Sequence, residues 1–85
     1  MLEGMRPRIE IQEVRLRTGA RSHTDHFEAV YIDSSGREIC RGEHPEYSFL
    51  AFSTLQQTMK REGFRIEDLP QPYRLPARYV GSATP

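Results

Sequence analysis

The chain has one cysteine, one lysine and no long apolar run. With only Cys40 among 85 residues, no internal disulfide can form, so a core of this size must hold by packing and hydrogen bonding. No apolar stretch approaches the roughly 20 residues that a membrane-spanning helix needs. The opening MLEGMRPRIE also lacks the apolar centre of a secretory signal. These absences predict a cytoplasmic protein of bacterial or phage type. Net charge is absent too: 12 basic residues balance 12 acidic ones, so no global field recruits nucleic acid or membrane. Lys60 stands alone among the basic residues and the rest are arginine, whose planar fork suits bidentate contacts and is also the product of a GC-rich codon bias. No glycine-rich phosphate loop, internal repeat or low-complexity block is present.

What is present reads as one small α+β domain. We expect a flexible N-terminus over 1–7, a β-β-β-α domain over 8–69 and an extended arm over 70–85. Ile9 and Ile11 alternate, and Val14 and Leu16 then alternate in the opposite phase, which predicts a bulge or a change of face near Gln12–Glu13. Residues 18–25 (TGARSHTD) read as a polar loop. A strand over 26–33 follows, then a turn at Ser34-Ser35-Gly36 and a return strand over 37–42. Pro45 suits the first turn of a helix over 46–62, with Leu50, Phe52, Leu55 and Met59 on one face. Gly63 and Phe64 fit a helix stop with its apolar contact. Pro70, Pro72 and Pro76 then forbid a helix and favour extended or polyproline-II backbone. The expected fold is therefore a three-stranded antiparallel sheet with one packed helix and a proline-containing C-terminal arm. Its expected core is Ile9, Ile11, Val30, Ile32, Ile39, Leu50, Phe52, Leu55 and Met59, subject to the sheet face that the helix takes.

The second strand is apolar on both faces: Phe27, Ala29 and Tyr31 point one way, Val30 and Ile32 the other. One helix covers one face of a small sheet. The other face must be covered by the chain's own arm, a second copy or a partner. This predicts a non-catalytic protein-interaction module, of the kind that phages and mobile elements carry as inhibitors or regulators of larger complexes. Its contact residues would be Phe27 and Tyr31 on the hairpin, with Tyr73, Leu75 and Tyr79 on the arm.

Signals for chemistry are weak. His23, His26, Cys40 and His44 are the soft metal ligands, but a predicted hairpin separates the two pairs, so we expect no metal and no cofactor. Asp25 and His26 are adjacent in a strand and should point to opposite faces. Cys40 and His44 lack a third orienting group, so no enzyme is expected. The alternative reading is RNA or DNA binding. Arg15, Arg17, Arg21 and His23, with Arg37 and Arg41, would gather near one end of the sheet and contact phosphates. Against that, Glu28 is placed to pair with Arg41 across the hairpin, and acidic residues surround the same elements.

The stretch from His23 through Phe27, the alternation to Asp33, Gly36, and Gly42 before a helix resembles the β-β-β-α part of double-stranded-RNA-binding domains. The resemblance spans about 55 residues, and it implies that fold order. In that family a Gly-Pro-x-His loop follows the first strand. Here Gly19-Ala20-Arg21-Ser22-His23 is one residue longer and has no proline. The family's lysine-rich helix start corresponds to His44-Pro45-Glu46, and its N-terminal helix has no room before Ile9. With the phosphate-gripping lysines gone, the resemblance implies a relative that binds protein rather than RNA.

Overall fold

The computed structural model describes residues 6–81. Strand β1 (Arg8–Thr18) pairs antiparallel with β2 (Arg21–Ile32), and β2 with β3 (Glu38–His44). Helix α1 (Ser48–Arg61) then crosses one face, and a short 3-10 turn over Ile66–Asp68 leads into the arm. The fold is α+β with one helix, as expected, but the sheet has five strands rather than three. The arm supplies two of them. β4 (Pro72–Arg74) and β5 (Arg78–Val80) run parallel to β1 along its outer edge, opposite Ile9–Ile11 and Val14–Leu16. Proline is tolerated there because it opens an edge strand at Pro72 and falls between the two strands at Pro76. Extended backbone was legible from the prolines; its docking partner was not.

The segment read as a polar loop is mostly strand. Only Gly19 and Ala20 make the turn, with Gly19 at φ 61°, and residues 21–25 belong to β2. Side chains support this tip in place of a core. Arg15 donates to Glu13 (2.8 Å), to the Ser22 carbonyl (3.0 Å) and to the Ser22 hydroxyl (3.2 Å), while Thr24 donates to Glu13. The phase switch in β1 is a change of face. Ile9 and Ile11 lie under the helix, and Val14 is buried on the reverse face. The bulge itself falls one strand over: Val14 pairs with His26 and Arg15 with Thr24, leaving Asp25 without a partner.

The β2–β3 turn is held by Asp33, whose carboxylate accepts from the Ser35 amide and hydroxyl and from the Arg37 amide, with Gly36 at φ 88°. These donors keep the Asp33 carboxyl below its usual range, the Ser35 hydroxyl contributing most. Pro45 precedes the first helical residue, Ser48, by three positions rather than lying inside the helix. The helix ends as its sequence suggests. Gly63 adopts φ 99°, its amide donates to Lys60, and the Phe64 amide donates to Met59. Phe64 then packs edge-on against Tyr31, with ring centres 5.5 Å apart.

The helix takes the Phe27, Ala29 and Tyr31 face. Ile9, Ile11, Ala29, Tyr31, Cys40, Ala51, Leu55 and Met59 form the core, flanked by Phe27, Phe52 and Leu69. Val30 and Ile32 therefore lie on the other side, and Ile39 is 44% exposed because a second bulge leaves it out of register between the Tyr31–Cys40 and Ile32–Glu38 pairs. Gly42 lets the helix backbone sit directly on β3; a Cβ there would lie 2.5 Å from the Ala51 carbonyl and collide with the Leu55 amide. The molecule measures 45 × 31 × 16 Å between Cα extremes, thick enough for one sheet and one helix and no third layer.

Candidate functional site

Opposite the helix, charged side chains cover the sheet where a second apolar layer would otherwise be needed. Strand alternation and the observed register put Glu10, Gln12, Val14, His26, Glu28, Val30, Ile32, Arg41, Glu43 and Arg78 on this face. At its centre Glu28 is only 5% exposed. Arg41 from β3 donates to one of its oxygens at 2.6 Å, and Arg78 from β5 donates to the other at 3.1 Å. Arg41 also binds Glu38 through two nitrogens, at 2.9 and 2.8 Å. Burial pushes the Glu28 carboxyl up, but the hydrogen bonds and charge of Arg78 and Arg41 outweigh it and hold the group below its usual range. Glu38 is likewise lowered by Arg41. Over this network a groove of about 150 Å³ is lined by Val30, Ile32 and Leu75, by Glu10 and Gln12, and by Glu28, Glu38 and Arg41 themselves. The arm is tied to its rim: the Tyr73 hydroxyl donates to Glu10 (3.0 Å) and Gln12 donates to the Pro76 carbonyl (2.7 Å).

The five residues expected to bind protein do not form one surface. Tyr31 is buried beneath the helix and Phe27 packs, partly buried, against the same core, so neither lies on the open sheet face, which corrects that expectation. The reason is the choice of face: the helix covers the aromatic side of β2, not the Val30 and Ile32 side. Tyr73 and Tyr79 are each about half exposed, at 46% and 49%, but on opposite faces. Tyr73 aligns with Glu10 on the charged face, while Tyr79 aligns with Arg15 and lies under the Arg17 guanidinium, 4.4 Å from the ring centre. Leu75 lines the groove.

The nucleic-acid set also divides. Arg21 opens β2 and Arg37 lies beyond its other end, so the 12-residue strand separates them by roughly 40 Å. Arg15 and Arg41 are committed to carboxylates within the sheet. Arg17 stacks on Tyr79, and His23 is exposed at the tip. No single basic patch results from these residues.

Sequence reasoning missed the aromatic ledge at the β3–α1 junction. Tyr47 and Phe49 are 52% and 65% exposed, with ring centres 5.5 Å apart, and His44 lies 5.8 Å from Tyr47. The ledge is fixed from below, because the His44 ring nitrogen Nδ1 accepts from the Glu46 and Tyr47 amides (3.0 and 3.1 Å) in place of an N-cap side chain. The signal was available: Phe49 falls outside the arc that Ala51, Leu55 and Met59 bury. The ledge adjoins β3, the sheet edge that has no strand partner among the described residues.

Cys40 is buried on the helix face, where burial and then the charge of Glu62 push its thiol up. A protonated thiol is a poor nucleophile. His44 lies four residues along the same strand, about 13 Å away by strand rise, so the imagined Cys–His pair does not meet. His26 and Cys40 occupy opposite faces and cannot share an ion. Asp25 and His26, expected to point apart, are instead bonded: the bulge turns Asp25 so that its carboxylate lies 2.8 Å from His26 Nδ1. One group with the geometry of metal ligands occurs among the described residues, His26, Glu28 and Glu43. Compared with known proteins, the chain matches no family model, no curated protein and no solved structure.

Proposed function

We propose that the chain is a non-catalytic module that binds another polypeptide through the Tyr47–Phe49 ledge and the adjoining edge of β3. The observation that carries this reading is the exposure of two adjacent aromatic rings, tilted against each other with centres 5.5 Å apart, at the start of the helix. Phe49 is 65% exposed, so most of its ring is open to a partner. Aromatic side chains of this kind supply large contact area at low entropic cost and dominate binding energy where a partner desolvates them. The neighbouring strand edge offers unpaired backbone groups to an extended segment of that partner. Such a module acts by occupying a surface, which fits a small regulator or inhibitor of a larger complex.

The test is affinity capture with the whole chain and with Tyr47→Ala/Phe49→Ala. The captured protein should be retained at high salt and lost, by a factor of 30 or more in affinity (about 2 kcal/mol), in the double variant, whose melting temperature stays close to that of the parent. Capture that vanishes with salt yet survives the double substitution would overturn the reading in favour of a charged contact.

A further inference from the structure

We propose that His26, Glu28 and Glu43 bind a divalent transition-metal cation of the zinc class. One side-chain donor atom from each lies within 4.8 Å of the other two. Glu28 and Glu43 stand directly opposite each other in the β2–β3 register, and one nitrogen of the Arg41 guanidinium reaches both, at 2.6 and 3.4 Å. His26 supplies the third donor by a local accident of fold. The Asp25 bulge brings a carboxylate, which only accepts hydrogen bonds, 2.8 Å from Nδ1. With a proton on Nδ1 for Asp25, the other ring nitrogen, Nε2, lies on the side of Glu28, 3.7 Å from its nearer oxygen, where a cation could take its lone pair. Three lone-pair donors thus converge on one spot.

The surroundings have the form of a metal site's outer shell. A ligating histidine commonly donates its other nitrogen to a carboxylate, and ligating carboxylates are themselves hydrogen-bonded. Asp25 fills the first role for His26; Arg41 and Arg78 fill the second for Glu28. Arg41 also approaches Glu43 at 3.4 Å, but each carboxylate oxygen carries two lone pairs and can serve both partners. The local charge leaves room for an ion. Asp25, Glu28, Glu38 and Glu43 face Arg41 and Arg78, four negative charges against two positive, and a divalent ion balances the remainder. One imidazole and two carboxylates with open positions for water suit zinc and its transition-metal neighbours, and the imidazole disfavours calcium and magnesium.

The experiment is titration calorimetry of the full chain with zinc, with cobalt substitution to report coordination by its visible absorption. The expected result is one ion per chain, a raised melting temperature in its presence, and affinity reduced tenfold or more by His26→Ala or by Glu43→Gln. Asp25→Asn should weaken binding less, and His23→Ala should leave it unchanged. Glu43 is half exposed, so its variant keeps the test sound if His26→Ala fails to fold. Absence of saturable binding, or binding that survives both His26→Ala and Glu43→Gln, overturns the site. Neither result tests the Tyr47–Phe49 ledge, whose residues are not among these ligands.

Discussion

Glu28 shows how a single residue can substitute for a missing layer. A carboxylate on an open sheet face normally stays hydrated, yet this one is 5% exposed because Arg41 and Arg78 reach over it from opposite edges. The aliphatic stems of such arginines cover apolar surface while their heads remain wet. Half of this arrangement was legible in the sequence, since Glu28 and Arg41 sit near each other across a hairpin with a readable turn. Arg78 was not, because its position depends on where the arm docks. Glu28→Gln keeps the shape and removes the charge, and should destabilise the protein by about 1–3 kcal/mol, since two guanidinium groups lose their counter-charge. The dependence on pH has a definite sign. The folded Glu28 carboxyl titrates below its unfolded value of about 4.3. Its contribution is therefore complete above that value and disappears as pH falls through the lowered folded value. Melting curves of parent and variant taken from neutral to strongly acid pH should converge at the acid end; a constant gap would show that the charge is not the cause.

Elements whose signals are local were readable, and those set by pairing were not. The Asp33–Arg37 turn and the Gly63–Phe64 stop each need particular residues at particular offsets, and both stand where the sequence puts them. Strand length depends on cross-strand partners. The 21–25 segment is too polar to read as strand, and it becomes one because Arg15 gathers Glu13, Ser22 and Thr24 from both sides of the turn. The bulges at Asp25 and Ile39 are register events between strands, invisible to a pattern within one strand, and they move residues between predicted roles: Ile39 out of the core, Asp25 onto His26. The Tyr47–Phe49 ledge was missed for a different reason: Phe49 already fell outside the expected helix face, but its meeting with Tyr47 depends on how the chain turns from β3 into the helix. Helix and sheet meet most closely at Gly42, where the helix backbone itself is the neighbour. A side chain there cannot be accommodated by a rotamer change, because the atoms it meets are main-chain. Gly42→Ala should therefore cost about 1–3 kcal/mol in urea denaturation, despite the usual gain from replacing glycine within a strand. A neutral or stabilising result would mean that the helix sits farther from β3 than described.

At the scale of the whole molecule the arm decides how the sheet ends. Without β4 and β5, β1 would present a long unpaired edge beside the core residues Ile9 and Ile11, a template for pairing with another chain. The arm closes that edge with short strands and proline, and its side chains hold it from both faces: Arg74 donates to Ser48 at the helix start, while Tyr73 and Arg78 reach Glu10 and Glu28 behind the sheet. Prolines exclude helix but leave open whether extended backbone lies on the protein, crosses to a second copy or hangs free, so this role lay beyond the sequence. A chain ending at Leu69 keeps the core and loses the strap. It should fold with a lowered melting temperature, and light scattering should show it associating where the full chain does not. The association should be suppressed by a charge placed beside the uncovered edge, as in Gln12→Lys made in the truncated chain, which lies on the charged face of β1 and leaves the core intact. A truncated chain that remains monomeric at high concentration would show that β1 is protected by its own polar residues, and that the arm serves the Glu28 network alone.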